Sequence, residues 1–182
     1  MNESKSYLEL VIGPMFSGKT SFLINIYKKF NFCDLNVLTI NHTIDNRYSL
    51  TQLCTHDLIE IPCKFLNKIS DVFDLPEYNA SNVILINEGQ FFEDLEEGVK
   101  RFLNENKKVY VAGLDSDYQQ KKFGQILDLI PLCDKIIKLH SLCALCKNGE
   151  EAIFSKRLSD EKQQTLVGNK NYIPVCRKCF YK

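Results

Sequence analysis

Neither sign of charge prevails in this sequence of 182 residues: Lys and Arg together number 23, Asp and Glu 23, and the net charge is zero. A broad basic surface for nucleic acid or an anionic membrane is therefore not expected. No apolar run approaches the ~18 residues that span a bilayer, so no membrane partner is expected either. Residues 1–5 are polar and lead straight into a strand-like stretch, which does not resemble a secretory leader. No internal repeat or low-complexity tract interrupts the chain. What these absences leave is a cytoplasmic globular protein of one domain with at most a small appendage, long enough to bury a core. In that compartment its eight cysteines are expected as thiols or metal ligands rather than disulfides. The three histidines, His42, His56 and His140, stand in no constellation and are given no role.

What is present is a series of short apolar runs alternating with helical periodicity. Leu8, Leu10, Val11 and Ile12 end at Gly13 and read as a buried strand. Phe22, Leu23, Ile26, Tyr27 and Phe30 then recur at helical spacing. Residues 37–40, 83–86, 109–112 and 136–139 are further strand candidates, and Leu95, Val99, Phe102 and Leu103 lie on one helical face. Residues 41–81 carry too little periodicity to place. Continuous apolar strands alternating with amphipathic helices predict an α/β fold, a parallel sheet flanked by helices. Beyond His140 the composition shifts to cysteine pairs around a polar stretch. The predicted organisation is an α/β domain over 1–140 followed by a small domain over 141–182 that carries the cysteine pairs.

Gly13-Pro14-Met15-Phe16-Ser17-Gly18-Lys19-Thr20 fits G-x-x-x-x-G-K-[ST] between a predicted strand and a predicted helix. Glycines let the backbone curl so that successive N–H groups point at phosphate oxygens, and the helix adds its positive end. Lys19 can reach the β- and γ-phosphates of ATP, and the Thr20 hydroxyl can ligate Mg²⁺. The plain alternative is a glycine turn capping a helix.

Val83-Ile84-Leu85-Ile86-Asn87-Glu88 is four apolar residues followed by polar groups at a strand's carboxyl end, where open α/β sheets bind ligands. A kinase needs a group to accept the acceptor's proton, and Glu88 is placed for it; otherwise Glu88 is a solvated acid favouring a helix start. P-loop enzymes commonly place Asp where this chain has Asn87. Metal binding through that position is expected to be weaker, with Asp45 able to supply the carboxylate, and Asn87→Asp is expected to lower the Mg²⁺ requirement.

Cys143 and Cys146, then Cys176 and Cys179, form two C-x-x-C units separated by 29 residues. Two close pairs of thiolates suit a tetrahedral Zn²⁺ site. The gap exceeds the usual spacing of roughly 15–20 residues, so the intervening segment must form its own loop. A redox dithiol and unrelated buried thiols are the alternatives. Cys33, Cys54, Cys63 and Cys133 are expected to be packing residues.

Taken together, GPMFSGKT, Asp45-Asn46-Arg47-Tyr48, Glu88-Gly89-Gln90-Phe91-Phe92, Gly113-Leu114-Asp115 with Tyr118 and Phe123, Phe154-Ser155-Lys156-Arg157 and the paired cysteines resemble the type II thymidine kinases. The resemblance runs in order over nearly the whole chain. It implies transfer of the γ-phosphate of ATP to the 5′-hydroxyl of thymidine or deoxyuridine, a step of nucleoside salvage. It also implies Glu88 as general base, Arg47 beside the transferring phosphate with Asp45 as its acidic neighbour, and a lasso between the cysteine pairs that closes on the nucleoside. Met15, Phe91, Leu114, Tyr118 and Phe123 then line the base and sugar pocket, with Leu166, Val167, Gly168 and Tyr172 from the lasso. A homotetramer is implied as well. The sequence departs from the family pattern at Asn87, in the lasso, where Leu166-Val167-Gly168-Asn169 lacks a paired glycine, and in the slightly long spacer after Cys146. Two other readings compete: a P-loop ATPase that drives a partner, and a zinc-ribbon module that binds nucleic acid through Lys156, Arg157, Arg177 and Lys178.

Overall fold

Strand residues that are apolar on both sides need cover on both sides, and the sheet has it. The computed structural model describes residues 5–45, 51–54, 59–165 and 171–182. In chain order, β1 (Tyr7–Ile12) leads into α1 (Lys19–Phe32) and β2 (Val37–His42). The short β3 (Gln52–Cys54), β4 (Glu60–Pro62) and β5 (Lys64–Leu66) precede α2 (Pro76–Ala80) and β6 (Val83–Ile86). Then come α3 (Leu95–Asn104), β7 (Lys108–Gly113) and β8 (Lys135–Lys138). Six strands form one sheet in the order β5-β2-β6-β7-β1-β8, and every pairing in it is parallel.

Alternation divides the sheet's side chains between two cores. Leu8, Leu10, Leu38, Ile40, Ile84, Ile86, Val109 and Val111 pack on one face with Val99 and Phe102 of α3 and with Ile69 and Ile126 from two 3₁₀ segments. Val11, Val83, Leu85, Tyr110 and Ala112 pack on the other with Phe22, Leu23 and Ile26 of α1. The antiparallel pair β3–β4 lays Leu53 and Ile61 against Ile24 of α1.

After β8 the strands become short. β9 (Ser141–Leu142) pairs with β10 (Glu151–Ala152), and β11 (Phe154–Arg157) with β12 (Tyr172–Val175), each antiparallel; α4 (Arg177–Phe180) closes the chain. Their core is small: Ala152 and Val175 with the cysteines, flanked by Phe154, Ile173 and Phe180. Of the four cysteines expected to pack, Cys54 and Cys63 are buried, Cys133 is half-buried, and Cys33 is exposed. Cys33 corrects the expectation. It lies in the turn that ends α1, past the helix's last buried side chain.

Candidate functional site

The carboxyl ends of β1, β2, β6 and β7 converge, and the site is built there. Residues 13–18 leave β1 and return as α1. Gly18 takes φ 84° at the helix start, and Phe16 takes φ 62° at the loop's exposed crest. Gly13 lies so near β8's exit that a Cβ there would come 2.3 Å from the Leu139 carbonyl oxygen. Lys19, the first residue of α1, folds back over the loop and donates from Nζ to the Pro14 carbonyl at 2.6 Å and to Ser17 Oγ at 3.4 Å. The loop thus wraps around an ammonium group at a helix N-terminus, an arrangement that receives phosphate. Thr20 follows in the same turn.

At the end of β6 the chain turns sharply, with Glu88 at φ 52°, a left-handed conformation uncommon for a residue with a side chain. Gln90, buried beside it, donates from Nε2 to Glu88 Oε2 at 2.6 Å and accepts from the Leu114 N–H at 2.9 Å. Gly113 leaves room for that amide; a Cβ there would sit 2.4 Å from Gln90 Oε1. Asn87 donates to Asn41 Oδ1 at 3.1 Å, and Asn41 donates to Asp45 Oδ2 at 3.0 Å. Residues 45 and 87 therefore belong to one network. His42 accepts the Ile44 N–H on Nδ1, packs against Phe91 and Phe92, and is held below its ordinary pKa by burial.

An aromatic wall follows. The rings of Phe91 and Phe123 meet edge to face at 5.5 Å, and Phe92 is wholly core. Leu114 and Tyr118 are half-buried nearby in sequence, on the segment leaving β7. Arg157, on β11, stacks over Tyr118 at 3.7 Å and donates to the Tyr172 hydroxyl from Nε at 3.1 Å. It also donates to the carbonyls of Glu161 (2.8 Å), Gln163 and Gln164 (3.1 Å). Tyr118 in turn donates to the Lys162 carbonyl, and Gln164 to Asp117. One buried guanidinium thus gathers the segment after β11. A second crossing is shorter: the Met15 N–H donates to Ser155 Oγ at 2.9 Å, tying β11 to the phosphate-type loop. Arg47, Leu166, Val167 and Gly168 lie outside the described residues.

The sulfurs of Cys143, Cys146, Cys176 and Cys179 all lie within 4.8 Å of one another. The Cys146–Cys176 and Cys146–Cys179 separations are 3.7 and 3.3 Å. Four thiolates on one ion with bonds of ~2.3 Å would stand about 3.8 Å apart, so the donor set fits zinc. Burial pushes the Cys143 thiol up, but N–H groups of Cys146, Cys176 and Leu145 outweigh this and bring it down to about 6. Hydrogen bonds to the Cys179 and Cys176 sulfurs push the Cys146 thiol the other way.

Three polar residues of this region had no assigned role from sequence, Asn41, Gln90 and Ser155, and Arg157 was named only in the nucleic-acid reading. Gln90, Ser155 and Arg157 lie inside quoted motifs, and that membership is the signal that marks them. Asn41 follows an apolar strand run and carried no such mark.

The chain matches the family model described as "Thymidine kinase" over residues 6–180. It is 42% identical over 175 residues to the thymidine kinase of vaccinia virus strain Ankara, covering 96% of both chains. The same identity and coverage hold for the thymidine kinases of monkeypox virus and of a variola virus isolate.

Proposed function

The chain belongs to the thymidine kinase family, and we propose that it transfers the γ-phosphate of ATP to the 5′-hydroxyl of thymidine, and of deoxyuridine, giving the 5′-monophosphate. The observation that carries this reading is a phosphate-type loop wrapped on Lys19 beside a carboxylate held by Gln90 at the same sheet edge. Phosphoryl transfer asks mainly for positioning and electrostatic stabilisation, and these groups offer both. Residues 13–20 hold the triphosphate. Lys19, with Arg47, neutralises charge on the transferring group. Glu88 orients the 5′-hydroxyl and takes its proton. Thr20, Asp45 and Asn87 would hold Mg²⁺, which when bound draws charge from the β- and γ-phosphate oxygens. The nucleoside lies between the sheet's carboxyl edge and the lasso of the 141–182 module. Its base packs against Phe91, Phe123, Leu114, Tyr118 and Met15, and Leu166, Val167, Gly168 and Tyr172 approach its edge. Cys143, Cys146, Cys176 and Cys179 would hold a structural Zn²⁺.

Among the described residues no helix is long and apolar enough to cross a membrane. A cytoplasmic homotetramer without a nucleic-acid partner completes the proposal, and light scattering tests its size. The deciding experiment measures ATP consumption and nucleoside monophosphate formation with thymidine, deoxyuridine, deoxycytidine and no acceptor. Turnover that requires thymidine or deoxyuridine is the expected result. ATP hydrolysis at the same rate without any nucleoside would replace the kinase reading with a hydrolase.

A further inference from the structure

Two groups in the network between β2 and β6 have fixed hydrogen-bond polarity. The His42 backbone N–H can only donate, and a carboxylate such as that of Asp45 can only accept. The His42 N–H reaches Asn41 Oδ1 at 3.0 Å, so the oxygen of the Asn41 amide faces β2's backbone. Its nitrogen then faces Asp45 Oδ2, also at 3.0 Å, which is the pairing a carboxylate requires. Asn87 meets that same Asn41 oxygen at 3.1 Å and therefore presents its own nitrogen. Neither amide orientation is arbitrary: a backbone donor sets one end and a carboxylate the other. Asn41 is 1% exposed and Asn87 3% exposed, so water cannot repair a mismatch.

We infer that Asn41 and Asn87 form a polarity-matched positioning pair, in which Asn87 is held as a donor and Asn41 passes the orientation on to Asp45, the charged metal-facing group of the site. This rests on reading the site as one for a metal–nucleotide complex. Asp at position 87 would set a carboxylate oxygen against Asn41 Oδ1. Turning Asn41 over would not help, because its nitrogen would then face the His42 N–H and its oxygen would face Asp45. On this inference Asn87→Asp brings no gain in metal binding, in place of the lower Mg²⁺ requirement expected from the sequence. Asn87→Ala is milder, since Asn41 Oδ1 keeps the His42 N–H.

The test has one arm that needs no substrate and one that needs no turnover. Thermal unfolding is measured for the wild type, Asn87→Ala, Asn87→Asp, Asn41→Ala and the double variant Asn41→Ala/Asn87→Asp. Asn87→Asp is expected to melt about 3 °C or more below Asn87→Ala. The double variant is expected to melt above the Asn87→Asp single variant, because the opposing oxygen is gone. Should Asn87→Asp yield no folded chain, a folded double variant supports the pair and an unfolded one overturns it. Losses that simply add, or Asn87→Asp melting at or above Asn87→Ala, also overturn it. Mn²⁺ binding in the presence of ADP, followed by electron paramagnetic resonance, is the second arm. Asp45→Asn is expected to weaken it about 10-fold or more and Asn41→Ala about 3-fold, with no tightening in Asn87→Asp. Tighter Mn²⁺ binding in Asn87→Asp, or unchanged binding in Asn41→Ala, would defeat the assignment to Asp45. A wild-type chain that binds neither ADP nor Mn²⁺ would remove the nucleotide reading, yet the melting order would still judge the pair.

Discussion

Glu88 combines a strained backbone with a restrained side chain. Its left-handed φ costs of order 1 kcal/mol for a residue bearing a Cβ, and the Gln90 amide fixes where its carboxylate points. A proton acceptor held in this way acts on chemistry more than on affinity. Glu88→Gln is predicted to lower turnover by ~10² or more while thymidine affinity stays within a few-fold; steady-state kinetics and calorimetric titration separate the two. Gln90→Leu keeps the volume but loses both hydrogen bonds, and a fall of roughly 10-fold in kcat with little change in KM is the expected signature of lost positioning. The cysteines give a second residue-level contrast. Burial, then the neighbouring Asp45 carboxylate, push the Cys63 thiol up to about 12. A raised thiol stays protonated and unreactive, so at pH 8 a thiol reagent added to the folded chain should label the exposed Cys33 and spare Cys63. Rapid labelling of Cys63 in the folded chain would contradict its burial.

At the scale of elements, α3 shows propensity yielding to packing. Gly98 sits inside this helix, where alanine is ordinarily favoured by about 1 kcal/mol. A Cβ at Gly98 would meet Ile69 Cγ2 at 2.1 Å, and Ile69 is pinned because Asp94 accepts its backbone N–H at 2.8 Å. Overpacking of this kind costs about 1–3 kcal/mol. Gly98→Ala is therefore predicted to destabilise rather than stabilise, by roughly 1 kcal/mol net, in denaturant unfolding. The same scale shows why parts of the chain were legible and others not. The β1–loop–α1 unit announces itself because its glycines, lysine and flanking periodicity are contiguous. Residues 41–81 stayed unplaced because β3, β4 and β5 are three residues each, too short for alternation to register. Asn41 and Asn87 are 46 residues apart, and Met15 and Ser155 are 140 apart. Only the folded sheet edge reveals that they touch.

For the molecule as a whole, the stretch after β8 has little apolar material of its own, and its centre is the cysteine cluster. Metal would supply much of its folding free energy. About one zinc per chain is predicted by elemental analysis, and a chelator is predicted to unfold this region and abolish activity. Chain that stays folded and active without metal would defeat the structural-zinc proposal. The Met15–Ser155 hydrogen bond carries a consequence for the two ends of the proposed cleft. It joins the loop proposed to cradle the triphosphate to β11, the strand that precedes the proposed lasso, so on that reading ordering one side lowers the cost of ordering the other. Thermodynamic reciprocity then demands that thymidine and a non-hydrolysable ATP analogue raise each other's affinity by an identical factor. One hydrogen bond is worth about 1 kcal/mol, or roughly 5-fold. Equilibrium dialysis with Ser155→Ala should find that mutual gain largely gone, leaving two ligands that bind as strangers.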